Sequence, residues 1–354
     1  MYKCKQCGKE IDNDEMKFCP DCGMPLQPEE TIVNYTPEQL EKMSLEDLLK
    51  IEKTTNDSLV SDAIANIYYH NNDFKNSWKY YNKASYSSEP SIHSIYMLGL
   101  LSKEGLGCNQ DYKEALKCFN FLNDEGSIDV TTELAECYLF GNGSEKDEKK
   151  AYKLLETAYT SNTDDGEVFR LLGFCKYNGL GTLKNTQEAY KLFEESGRKG
   201  SDDGIFFSAL CDLNGQGTIK NKNKAFNKLH ALFEKYKDDA GAEVFKFLGN
   251  CYEFGWGCSK DIKKAFEVYE KGYNIDDPYC TYRLGCFYYT GKACEKDKEY
   301  AEKLIQKAAD NGDEYAIEWI KRPEIRRFST NFLYTYINVL TLGIPHFIRK
   351  KVFL

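Results

Sequence analysis

Histidine is scarce. The 354 residues hold four (His70, His93, His230 and His346), and no two stand at the spacing with which a helix offers paired imidazoles to a metal. A phosphate loop is also missing: the nearest run, Gly285 to Gly291-Lys292, is one residue too long and lacks the hydroxyl after lysine. Positive charge is in deficit, with 47 Lys and Arg against 56 Asp and Glu, a net charge of −9. Such a surface matches a phosphate backbone poorly, so no nucleic-acid partner is expected. No apolar run follows Met1-Tyr2-Lys3-Cys4, which argues against a secretory leader and for a cytoplasmic address. The 14 cysteines are therefore not read as a disulfide framework. Apolar residues make up 42% of the chain, enough to bury a sizeable core.

The charge is divided unevenly. From Lys321 onward there are seven basic residues and one acid, Glu324, giving +6; the other 40 bases and 55 acids give −15 for residues 1–320. An acidic body carries a basic tail.

Four cysteines open the chain as Cys4-x-x-Cys7 and Cys19-x-x-Cys22, each pair followed by glycine (Gly8, Gly23). A two-residue gap lets one tight turn aim two sulfurs at a single ion, and glycine accepts the backbone angles that close the turn. The segment between the pairs has room for a short hairpin and almost no apolar material, so a metal must supply the folding energy that burial cannot. One structural zinc ion held by Cys4, Cys7, Cys19 and Cys22 is the expectation, with no open catalytic position. The rivals are a redox dithiol, which lacks its strand-helix context, and disulfides, which lack an oxidising address. Residues 1–27 resemble the short zinc-ribbon modules found at the start of many prokaryotic proteins. Residues 28–58 read as a linker and helical lead-in: Thr36-Pro37-Glu38-Gln39 is a helix start, and Ser44 with Asp47 is a second.

One pattern then recurs. A Gly-x-Gly turn is followed by Asp or Asn, and four residues later by alanine. The caps are Asp111, Asp147, Asn185, Asn221, Asp261 and Asp297; the alanines are Ala115, Ala151, Ala189, Ala225, Ala265 and Ala301. In the sixth copy Ala293 replaces the second glycine. Each Asp or Asn suits an N-cap, accepting from the unpaired amides of the next helix. Four residues beyond each alanine stands Phe119, Leu155, Phe193, Leu229, Tyr269 or Ile305, an apolar face at helical period. Sixteen residues before each alanine stands a small residue: Gly99, Ala135, Gly173, Ala209, Gly249 or Gly285. Spacing within a unit is fixed, and insertions fall between units. Repetition at this period means a stacked array of helix pairs.

The units resemble the Sel-one-like repeat, a relative of the tetratricopeptide repeat. Its signature is fullest at Leu248-Gly249-Asn250-Cys251-Tyr252-Glu253-Phe254-Gly255-Trp256-Gly257 and Asp261-Ile262-Lys263-Lys264-Ala265. Six units fit, over residues 91–315. A seventh, Ala63 to Ala84, lacks the turn but keeps Ser77, Tyr81 and Ala84 in register. The resemblance implies an all-α, tetratricopeptide-like helical solenoid of about seven helix pairs over residues 59–320, with adaptor or scaffold roles. The expected partner is a protein or peptide in a groove made largely by first-helix side chains.

Some secreted relatives carry disulfides within each repeat. Here Cys137, Cys175, Cys211 and Cys251 share one slot, but equivalent helices stand about 10 Å apart, beyond the roughly 7 Å reach of a disulfide. The ten cysteines after residue 27 are read as apolar filler. Ser196-x-x-Lys199 matches one penicillin-binding motif without its companions, leaving a penicillin-interacting, hydrolase-like enzyme as a minor alternative to a non-catalytic protein. Residues 321–354 form a basic and apolar tail: Arg326-Arg327, 21 uncharged residues, then Arg349-Lys350-Lys351. Three readings stand for it: a helical cap on the array, an interfacial membrane segment over residues 322–354 that tethers an assembly factor, and a membrane span.

Overall fold

The computed structural model describes residues 2–3, 10–11, 35–126, 130–161 and 163–321. Near the amino terminus, β1 (Tyr2–Lys3) pairs antiparallel with β2 (Glu10–Ile11), Tyr2 opposite Ile11 and Lys3 opposite Glu10. The segment between the two Cys-x-x-Cys pairs, where the sequence leaves room for a short hairpin, lies outside the described residues except for Glu10–Ile11. All other regular structure among the described residues is helical. The chain divides into two compact units, the first running to Leu101 with Gly105–Asn109, the second comprising Ser102–Glu104 and Gln110 onward.

In the first unit, α1 (Pro37–Leu40) starts with a capping box in which the Gln39 side chain accepts from the Thr36 amide at 2.9 Å. Ser44 caps α2 (Leu45–Glu52). α3 (Ser58–His70) and α4 (Phe74–Ser85) form the plain pair that lacks the glycine turn, followed by α5 (Ile92–Glu104), most of which belongs to this unit. Ser77, Tyr81 and Ala84 are fully buried, as their register predicts, and Leu40, Leu48, Val60 and Ile64 form a second core cluster.

The second unit begins with α6 (Tyr112–Glu125) and continues through α7 (Thr131–Phe140), α8 (Glu148–Thr160), α9 (Gly166–Asn178) and α10 (Thr186–Arg198). Then come α11 (Asp202–Asn214), α12 (Lys222–Tyr236), α13 (Ala242–Phe254) and α14 (Ile262–Asn274). α15 (Pro278–Thr290), α16 (Lys298–Asp310) and α17 (Glu314–Lys321) end the described chain. Within the units the helices pair as α3/α4 in the first and as α7/α8 to α15/α16 in the second, and the fold is a tetratricopeptide-like helical solenoid.

Every cap in the repeat accepts a backbone N–H at its helix start: Asp111, Asp147, Asn185, Asn221, Asp261 and Asp297 all do so. Second helices bury one stripe. Four of thirteen residues are buried in each of α10, α14 and α16, always the alanine and the residues three, four and seven beyond it. First helices are enclosed: ten of thirteen are buried in α9 and in α11. The second unit therefore presents its second helices and turns to solvent, and its first helices offer few side chains to a partner.

The turn glycines have two duties. The first glycine of each turn caps the first helix in the left-handed region, as Gly179 does at φ 79°. The second lies against the preceding pair: a Cβ on Gly217 would stand 1.9 Å from the carbonyl oxygen of Thr186, so no side chain fits. Insertions go between pairs, as the spacing predicts. The longest is absorbed by a longer α12 and a 3-10 turn at Lys237–Asp239.

α17 covers α15 and α16, with Ala316 and Trp319 buried against Tyr282, Cys286, Ile305 and Ala308. Capping of this end is thus begun before Pro323. No helix among the described residues is long and apolar enough to cross a membrane. The tail from residue 322 lies outside the described residues.

Candidate functional site

The four proposed zinc ligands, Cys4, Cys7, Cys19 and Cys22, lie outside the described residues, as does His346. Among the described residues no group of three or more His, Cys, Asp or Glu is placed to hold a metal. None of the ten remaining cysteines is joined to another in a disulfide. Burial pushes the thiols of Cys175, Cys211 and Cys251 up to about 12 and that of Cys137 to about 11, so each stays a neutral packing group.

The Ser-x-x-Lys match has a structural explanation. Ser196 is fully buried and its Oγ donates to the Gly166 carbonyl at 2.8 Å, tying α10 to the start of α9. Lys199 instead pairs with Asp164 at 2.6 Å. The hydroxyl and the amine are thus engaged elsewhere, without forming a nucleophile and base.

In the first unit a cavity of about 430 Å³ opens among α1, α3 and α5. Pro37, Leu40, Leu59, Ala63 and Ile67 supply apolar wall; Glu41, Asp62, Asn66, His70 and His93 supply polar groups. Helical period explains the α3 contribution, since Leu59, Asp62, Ala63, Asn66, Ile67 and His70 recur at three- and four-residue steps on one face. Asp62 is the hub. Its Oδ1 accepts from Ser91 Oγ at 3.1 Å and from Ser94 Oγ, and its Oδ2 accepts from Asn66 Nδ2 at 3.1 Å. His93 Nδ1 lies 3.0 Å from Oδ1. This hydrogen bond, reinforced by the carboxylate charge, holds the imidazolium above the ordinary histidine value, although partial burial opposes it. Asn66 Oδ1 in turn accepts from Tyr81 Oη at 2.6 Å. The Nδ1 bond to Asp62 leaves Nε2 as the ring's available polar atom.

The sequence reading passed over His93 because it sought pairs of histidines. Asp62 and His93 stand 31 residues apart on different helices, and no local pattern joins them.

Within the second unit, first helices are linked by buried ion pairs. Lys103 Nζ meets Glu136 at 2.6 Å, Glu136 meets Arg170 at 3.0 Å, and Arg170 also holds Glu167 at 2.7 Å. Arg170 is 1% exposed, so its charge depends on these carboxylates for solvation. A separate cleft of about 680 Å³ lies among α8, α9 and α10, where Tyr159, Phe169 and Leu192 meet Asp164, Glu188, Lys191, Glu195 and Lys199. It coincides with the two-residue insertion between α8 and α9.

Comparison with known proteins bears on this arrangement. The Sel1 repeat family matches residues 92–126, 131–162, 170–201, 205–227, 247–277 and 278–313, together more than half of the chain. A Sel1 repeat protein from Oxalobacter formigenes superposes with a TM-score of 0.58 at 22% identity, covering 70% of this chain and 98% of that one. A protective antigen of uropathogenic Escherichia coli with an SLR fold gives 0.55 at 18% identity, covering 77% of this chain and 57% of that one. Both likenesses concern the fold. Chitin synthase regulator SKT5 of Saccharomyces cerevisiae is 39% identical over 62 residues, 18% of this chain and 9% of the yeast protein.

Proposed function

The chain belongs to the Sel1 repeat family, and from that membership we propose that it is a non-catalytic scaffold that holds a peptide segment of a protein partner in the first-unit cavity. Sel1 repeat solenoids are generally protein-interaction modules. A regulator among the similar proteins, matched over a short stretch, agrees with such a role.

The observation that carries the reading is the cavity itself: apolar walls ending in an ordered His–Asp pair on first-helix side chains. An apolar side chain of the partner fills the space beside Leu40, Leu59 and Ile67, and the protonated ring of His93 donates to a carboxylate or carbonyl oxygen. In the same proposal a zinc ribbon built on Cys4, Cys7, Cys19 and Cys22 is a structural module beside the array; four thiolates in two close pairs are the donor set that zinc favours.

Photo-crosslinking tests the reading. A benzophenone side chain replacing Leu59, which lines the cavity and is 38% exposed, should trap one defined partner segment. The same probe at an exposed second-helix position should not. Equal trapping at both positions would contradict the cavity as the site.

A further inference from the structure

Five turns of the second unit share one form, yet two differ from the rest in chemistry. Two residues before the cap stand Glu145, Leu183, Ile219, Ser259 and Glu295 in turns 141–147, 179–185, 215–221, 255–261 and 291–297. Leu183 and Ile219 are 89% and 88% exposed, the most exposed of the large apolar side chains among the described residues. In the same two turns the cap changes from Asp to Asn, giving Leu183-Lys184-Asn185 and Ile219-Lys220-Asn221, while the lysine before the cap is common to all five turns. Turns 179–185 and 215–221 therefore carry +1 each, whereas 141–147 carries −1 and the last two are neutral. An Asn cap accepts the helix amides as an Asp does, so the change removes charge and keeps the helix start.

These two turns are neighbours in space. Gly217 abuts the carbonyl of Thr186, the residue after the Asn185 cap, and Tyr177 Oη donates to Gln216 Oε1 across the same junction. The next turn stacks in the same manner, Gly257 against the carbonyl of Lys222. Its Trp256 ring lies 5.5 Å from Lys222 Nζ. Lys184, Lys220 and Lys222 are all exposed.

We infer that this edge is a membrane-contacting surface: Leu183 and Ile219 enter the interfacial zone of an anionic phospholipid bilayer, and Lys184, Lys220 and Lys222 hold its headgroups. The two aliphatic side chains project from turn tips. A fluid lipid surface accepts projecting groups without a complementary pocket, and flanking lysines add attraction to anionic headgroups. Residues 1–320 carry 55 acids against 40 bases, so an anionic surface repels most of the body and favours approach along this edge. The surface is distinct from the cavity of the first unit and does not depend on its occupant.

Co-sedimentation of the full chain with phosphatidylcholine vesicles, with and without phosphatidylglycerol, tests the inference. Binding should require the anionic lipid, and Leu183→Asp with Ile219→Asp should weaken it about tenfold or more. Lys184→Glu with Lys220→Glu should do likewise, with circular dichroism unchanged. As a second readout that needs no disruptive change, Leu183→Trp should add a blue-shifted emission component on anionic vesicles, quenched by brominated lipid. The inference is overturned if the wild-type chain ignores anionic vesicles or binds neutral ones equally well. It is also overturned if the aspartate pair sediments like wild type, which would place lipid contact elsewhere in the chain. Loss of an acidic protein partner with vesicle binding unchanged would make the edge a protein interface instead.

Discussion

A methyl group on Gly173 would lie 2.8 Å from Cε1 of Phe193, so the small residue of α9 exists to admit the aromatic ring of α10. The same relation holds for Gly249 with Tyr269 and Gly285 with Ile305, at 2.4 and 2.6 Å. Where the second helix offers leucine, at Leu155 and Leu229, the small residue is alanine, at Ala135 and Ala209. Gly173→Ala should therefore destabilise: overpacking costs about 1–3 kcal/mol, against a gain of about 1 kcal/mol in helix propensity. In a Phe193→Leu background the same substitution should become stabilising, because it restores the Ala/Leu pairing. Denaturant midpoints of the two single variants and the double variant check the reversal of sign.

That pairing marks how far the sequence could be read. Its period fixed the alternation of first and second helices, the six caps and the buried alanine stripe, since each is a local consequence of helical geometry. The sixteen-residue interval was visible too, but not its cause. The ring that requires the space is twenty residues from the glycine, a distance set by packing. The enclosure of α9 and α11 was equally hidden, because Arg170, Glu136 and Asp203 look like surface residues until their partners on neighbouring helices are known. The cavity was missed for the same reason, as Asp62 and His93 meet only after α3 and α5 are packed.

Arg170 should be the most sensitive charged position. It is 1% exposed and bound to carboxylates from its own and a neighbouring helix. Arg170→Ala should cost about 3–5 kcal/mol by stranding buried carboxylates. Added salt should leave the wild-type midpoint little changed, as buried pairs are poorly screened. A loss below about 1 kcal/mol in denaturant unfolding would place the cluster in water.

Asp313, the buried residue that caps α17 by accepting from the Ala316 amide at 2.7 Å, gives the array a pH dependence. Burial pushes its carboxyl from 3.8 up to about 6; the cap bonds and Lys246 pull it back, and Asp277 adds to the rise. Between these values the folded chain keeps a proton that the unfolded chain has released, so stability falls as pH rises from about 4 to about 6. Above that window the ionised group costs about 3 kcal/mol relative to a neutral one. Asp313→Asn keeps the cap and removes the charge. Its advantage over wild type should be absent near pH 4, grow through the window and stay flat above it, as unfolding curves at several pH values would record.

Metal analysis addresses the amino-terminal cysteines. The full chain should bind one equivalent of zinc, lost in the Cys4→Ser, Cys7→Ser variant and retained when Cys137 or Cys175 becomes serine. Equal zinc in every variant would remove the ribbon.

The central claim, a peptide held in the first-unit cavity, is tested most directly by titrating the partner segment trapped at Leu59 into wild type and Ala63→Phe by calorimetry. The added ring occupies the cavity from its apolar wall. The account predicts one-to-one binding to wild type, weakening as pH rises through the elevated His93 value and His93 loses its proton, with no measurable heat for Ala63→Phe at unchanged helicity. Equal affinity for both proteins at every pH would contradict it.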